Sequence, residues 1–254
     1  MRSNSNIQLY NGDCFEIMQE LMSRGVKVDH IICDPPYNIN IADWDNNFDF
    51  DKMADYCYRI VKHAGNVILF CGWSQVCNMI QQVDKHFELK NWIIWDRIKG
   101  RGATKNLVST REDILWYTNN PEPIYHKMYS NIKKATRGMG DKNGHDTRAL
   151  TNVWYDISPI VPWSSEKTEH PSQKPVELME RIVNIWTNEG ETVLDFTMGS
   201  GTTGVACRNL GRHFIGIERE EQWFNVAKER IEGQHIQNKS NEEVIEEQAS
   251  LDDF

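Results

Sequence analysis

At 254 residues and 29.6 kDa, with 39 % hydrophobic residues, the chain can bury a full core without covalent staples, which excludes a disulfide scaffold and fits one α/β domain with an insertion. Its six cysteines form no Cys-x-x-Cys pair, its polar start has no secretory apolar core and no run is long enough to span a bilayer, so reduced thiols, no metal and a cytoplasmic, non-membrane protein are expected. The formal charge of −9 is unevenly spread: residues 232–254 carry five Glu, two Asp and one Lys, whereas residues 97–148 carry eleven Lys or Arg against five acids, a net +6 suited to phosphate.

In chain order, Ile7–Tyr10 predicts a short strand, Cys14–Ser23 an amphipathic helix and Val28–Cys33 a buried strand. That strand delivers Asp34-Pro35-Pro36-Tyr37. A rigid turn bearing one carboxylate, fixed carbonyls and an aromatic face suits a flat ring with an amino group, because the Asp and a carbonyl accept from NH2 while the ring stacks. The plain alternative is a strand end with a Pro-Pro stop. Asn38 to Asp51, with Trp44, predicts a loop beside this turn, followed by a helix at Asp51–His63 and a strand at Asn66–Cys71. Gln75–Lys85 reads as a helix, Leu89–Asp96 and Asp113–Tyr117 as strands, and Gly100–Lys105 as an arm near phosphates. Residues 119–165 are irregular and read as an insertion, with Lys99, Arg101, Lys105, Lys133, Lys134 and Arg137 as candidate phosphate contacts and an ordinary solvated surface as the alternative.

A helix from Pro175 to Asn188 leads to Thr192-Val-Leu-Asp195-Phe-Thr-Met-Gly199-Ser-Gly201-Thr-Thr-Gly204, a strand running through a glycine turn into a helix. Phe214–Glu218 is the next strand and ends in an acid that can take both hydroxyls of a ribose, so strand, turn, helix, strand and acid together describe a nucleoside-cofactor site. The turn lacks the GK[ST] ending of a triphosphate loop. Glu221–Ile231 closes the domain, residues 1–232, and the acidic tail 233–254 is expected to be flexible. The strands carrying the two motifs are expected side by side, with both turns at one sheet edge.

These motifs, their order and His170-Pro-Ser172-Gln-Lys174-Pro175 between them resemble the β group of DNA amino-methyltransferases, over about residues 8 to 232. The resemblance implies an α/β, Rossmann-like methyltransferase fold: a mostly parallel twisted sheet with helices on both faces and a circularly permuted motif order. It implies S-adenosyl-L-methionine as cofactor, double-stranded DNA as partner, a homodimer, and direct methyl transfer to the exocyclic amino group of a flipped base, as in restriction-modification. Asp rather than Ser at the first motif position favours adenine N6; cytosine N4, an RNA or protein-amide enzyme, and a non-catalytic relative are the alternatives. Carried over residue by residue, Asp34, Pro35, Pro36 and Tyr37 hold the base. Asp13, Cys14, Asp34, His170, Ser172, Lys174, Asp195, Phe196, Gly199, Ser200, Gly201, Thr202, Thr203 and Glu218 surround the cofactor. The family usually shows Asp-Pro-Phe before the glycine turn, whereas this chain has Asp195-Phe196-Thr197, which puts the expected ring at Phe196 or removes it. The terminal Gln248-x-x-Leu251-x-x-Phe254 resembles the peptide that docks replication and repair proteins on a sliding clamp, without its usual second aromatic.

Overall fold

The computed structural model describes residues 6–39, 45–101, 105, 107–133 and 147–233, of which 98–101, 131–133, 147 and 148 are described by backbone alone. The chain runs β1 (Ile7–Asn11), α1 (Cys14–Ser23), β2 (His30–Cys33), α2 (Phe50–Ile60), β3 (Asn66–Cys71), α3 (Val76–Val83), β4 (Glu88–Arg101) and β5 (Ser109–Thr118). It continues through β6 (Tyr129–Lys133), β7 (Thr147–Ala149), β8 (Val153–Trp154), α4 (Val176–Trp186), β9 (Thr192–Asp195), α5 (Thr202–Asn209), β10 (His213–Glu218) and α6 (Glu221–Glu232).

Eight strands form one sheet in the order β1-β10-β9-β2-β3-β5-β4-β8. The five from β1 to β3 are parallel, β5 is antiparallel to both β3 and β4, and β8 returns parallel to β4. The first motif's strand therefore lies directly against the second's: His30 pairs with Val193 and Ile31 with Leu194. From this pair the chain builds outward on one side through β3, β5 and β4 and on the other through β10 and β1. The crevice above the carboxyl ends of β2 and β9 is thus the switch point where α/β sheets bind ligands.

Both sheet faces are covered, which is why the central strands are continuously apolar rather than alternating. Ile31, Cys33, Val67 and Leu69 enter one core with α1, α2 and α3, while Ile32, Ile68 and Phe70 enter the other with α4, α5 and α6. Several predicted bounds move. Val28 forms only an isolated bridge with Val61, so β2 starts at His30. β4 runs on to Arg101, past the expected end at Asp96, because β5 starts as early as Ser109 and pairs with it. The expected insertion also contributes to the main sheet, since Trp154 and Ile157 are buried in the second core and the Trp95 indole donates to the Ile157 carbonyl (2.9 Å). The small β6–β7 sheet stands apart from it. No helix among the described residues is long and apolar enough to cross a membrane.

Candidate active site

Asp34 leaves the end of β2 and is gripped on both oxygens. The Tyr37 hydroxyl donates to Oδ1, and Lys174 Nζ donates to Oδ2 at 2.5 Å. Lys174 also lies 3.1 Å from Glu112 Oε2 on β5, and Arg97 on β4 donates to Glu112 Oε1 (3.0 Å). Four charges therefore alternate in sign across the cleft. Burial and the Glu112 charge push the Asp34 carboxyl above its ordinary value against the pull of the Lys174 ammonium. Burial works against the Lys174 charge, yet its two carboxylates outweigh it and raise that pKa.

The turn itself is held by Asp45, a residue that sequence reasoning passed over inside an Asn- and Asp-rich loop. Its Oδ1 accepts from the backbone N–H of Tyr37 (2.6 Å) and Asn38 (2.9 Å), and its Oδ2 accepts from Ile39 (3.0 Å). Asn38 sits at φ +56°, a left-handed conformation that asparagine tolerates, and its amide bonds both ways with the Phe48 backbone at 2.7 and 2.9 Å. Tyr37 packs over Gly72, where an added Cβ would meet its ring at 3.1 Å. Trp44 lies outside the described residues.

On the neighbouring strand, Asp195 ends β9 and accepts from the Thr203 hydroxyl (2.6 Å) and the Thr197 backbone (3.2 Å), which closes the glycine turn on α5. Burial lifts Asp195 to about 7. Gly199, at φ +51°, lies under His170 so closely that a Cβ would approach Nε2 to 2.9 Å, and its N–H donates to Glu218 Oε2 (2.9 Å). Glu218 Oε1 accepts from the Glu220 backbone (2.8 Å), so this acid braces the turn from the end of β10. The Trp223 ring meets His170 edge-on, with centroids 4.7 Å apart, a contact no local pattern revealed. Burial, with Lys174 and Lys167 nearby, lowers His170 to about 4 and keeps it neutral at pH 7.

One cleft of about 560 Å³ is lined by Asp34, Pro35, Pro36 and Tyr37 together with Asp13, Cys14, His170, Ser172, Lys174, Asp195, Phe196, Gly199, Ser200, Thr202, Thr203 and Glu218. The two motifs share it, as expected from adjacent strands. The residues do different work within it. Asp13 caps α1, accepting from Phe15 (2.9 Å) and Glu16 (3.1 Å). Phe196 is buried in the first core, and at the family's aromatic position Thr197 instead donates to the Asp34 carbonyl (3.2 Å) and lies 3.0 Å from Cys33 Sγ, tying one motif to the other. Gly201 faces α6 rather than the cleft: at φ +76° its Cβ would come within 2.8 Å of the Ala227 Cβ. Arg230 reaches under the turn from α6 to the Ser200 carbonyl and to the Ser200 and Thr202 hydroxyls, both at 3.1 Å.

Of the phosphate candidates, Lys99 and Arg101 lie on β4 and Lys133 on β6, described by backbone, and Lys105 is exposed. Lys134, Arg137 and the tail residues Gln248, Leu251 and Phe254 fall outside the described residues. Among those described, Arg97 and Arg111 line the cleft from β4 and β5, within the basic stretch.

Known proteins resemble this chain in sequence and in fold. M.HpaI, a type II methyltransferase of Haemophilus parainfluenzae, is 30 % identical over 218 residues, covering 82 % of this chain and 69 % of its own. M1.MboII of Moraxella bovis is 28 % identical over 251 residues, covering 87 % of this chain and 94 % of its own. The crystal structure of an M1.HpyAVI–SAM complex superposes with a TM-score of 0.66 at 34 % identity, over 88 % of this chain and 99 % of that one. The cytosine-N4-specific PvuII DNA methyltransferase, at 16 % identity and a TM-score of 0.63, shares the fold. A family model described as DNA methylase matches residues 28–229, and the chain, with both of its motifs on one cleft, belongs to that family.

Proposed function

We propose that the protein methylates the N6 amino group of adenine in double-stranded DNA by direct transfer. The broader activity is that of an S-adenosylmethionine-dependent DNA methyltransferase acting on an exocyclic amino group. The observation that carries the reading is the placement of Asp34 and the Gly199 turn in one cleft, at the ends of adjacent strands. The residues present fit the cofactor: the Gly199 turn, closed under His170, and Glu218 at the end of β10 line the cleft together with Asp13, a polar set suited to a nucleoside and its amino-acid end. When bound, S-adenosylmethionine supplies an electrophilic methyl group on a sulfonium.

The chain's own residues do the rest. An aromatic amino nitrogen is a poor nucleophile because its lone pair is drawn into the ring. Hydrogen bonds from NH2 to the Asp34 carboxylate and the Pro35 carbonyl return electron density to nitrogen and aim the lone pair across the cleft. The Tyr37 ring stacks on the base, which must leave the duplex to reach this depth. No nucleophilic thiol is required. The buried cysteines fit that picture, since burial raises the Cys33 thiol and the Asp195 charge raises it further. Asp at the first motif position, where cytosine enzymes mostly show Ser, supports adenine. The test is incubation with labelled S-adenosylmethionine and duplex DNA, followed by nucleoside analysis. N6-methyladenine is expected, and N4-methylcytosine as the product would overturn the choice of base.

A further inference from the structure

Lys174 belongs to the segment whose resemblance points to the cofactor, yet its ammonium turns to the catalytic motif. It donates to Asp34 Oδ2 at 2.5 Å, lies 3.1 Å from Glu112 Oε2 and sits 5.2 Å from the centre of the Phe70 ring. Its side chain is 9 % exposed, and those of Glu112 and Arg97 are 14 % and 18 % exposed, so solvent screens the cluster weakly. The groups facing Asp34 come from five elements: Tyr37 from its own turn, Cys71 from β3, Glu112 (backed by Arg97) from β5, Asp195 from β9, and Lys174 from the strap before α4. Lys174 is the cation among those that touch the carboxylate.

We infer that Lys174, anchored by Glu112, is a positioning residue for methyl transfer: it holds Asp34 ionised and fixed in aim, so that the incoming amino group meets a charged acceptor. The inference rests on Asp34 being that acceptor. A protonated Asp34 would present a donor where an acceptor is needed. Burial and Glu112 both favour that protonated form, and the ammonium opposes them. The pair also fixes geometry, since Oδ2 and the Tyr37-bonded Oδ1 define the carboxylate plane.

The test compares full-length variants by kcat against pH and by cofactor Kd from calorimetry. Lys174→Met is expected to lower kcat near neutral pH about tenfold and to move the acid limb up by about one pH unit, with cofactor Kd unchanged within about twofold. Lys174→Arg keeps the cation and should restore the limb. An unmoved limb in a folded Lys174→Met overturns the inference, whatever the cofactor affinity. Should that variant fail to fold, Glu112→Gln decides. It leaves the ammonium in place but frees it from its anchor, so kcat should fall about threefold or more with cofactor Kd preserved and the limb not raised, and full kcat overturns the inference. Asp34→Asn separates the two levels: turnover retained there would remove the acceptor assignment itself, whereas its loss beside an unmoved Lys174→Met limb removes only the role of Lys174.

Discussion

Asp45 shows how much one side chain can organise. It satisfies three successive, partly buried backbone N–H groups at the end of the Asp34–Tyr37 turn, and an unsatisfied donor costs up to about 1–3 kcal/mol when buried. Asp45→Ala is expected to lower stability by about 2 kcal/mol and, by letting Tyr37 and Asp34 drift, to cut kcat about 100-fold, while calorimetry finds cofactor affinity retained. His170 offers a pH test. Its folded pKa, about 4, lies below the ordinary histidine value because burial and the nearby lysines disfavour the charge. The unfolded chain therefore takes up a proton near pH 6.5 that the folded chain refuses until about 4. Stability from this group is full above pH 6.5 and falls with acidification across that window, by up to about 3 kcal/mol. His170→Asn should flatten that part of the stability profile in urea melts, and an unchanged slope would reject the assignment.

At the scale of elements, α5 and α6 meet closely enough that glycine is required at their contact. A Cβ at Gly204 would lie 2.4 Å from Ile231 Cδ1, and at Gly201 the backbone is left-handed as well as crowded by Ala227. Gly201→Ala thus adds strain at φ +76° to a clash with the Ala227 Cβ, and thermal melts should show a loss of about 2 kcal/mol or more. Because this glycine begins the helix below the turn, cofactor affinity should weaken in the same variant. The strand pair β2–β9 is the other decisive contact, since its parallel register sets Asp34 and Asp195 at the same edge.

At the scale of the molecule, we propose that an acidic chain handles a polyanion by segregating charge, with a basic stretch of net +6 reaching the cleft through Arg97 and Arg111 and a net −6 set apart in residues 232–254. We propose that this tail, through Gln248, Leu251 and Phe254, docks the enzyme on a sliding clamp. Deleting residues 245–254 should abolish capture by immobilised clamp and leave methylation of short oligonucleotides unchanged, whereas clamp capture by the shortened chain would dismiss the idea.

The linear pattern of residues was enough to establish the α/β class, the order of nearly every element and both motifs, because strand and helix periods, a Pro-Pro turn and a glycine turn are local signals carried by consecutive residues. Beyond the adjacency of the two motif strands, what it could not establish is which distant side chains meet. Lys174 meets Asp34 across 140 positions, and Thr197 meets the Asp34 carbonyl across 163. The same distance explains why Lys174, in a segment placed by resemblance on the cofactor, grips the Asp34 carboxylate, why Gly201 packs against α6, and why Trp154, inside a stretch read as insertion, lies in the core. A side chain's partner is chosen by sheet order and helix packing, and these exist only once the whole chain has folded.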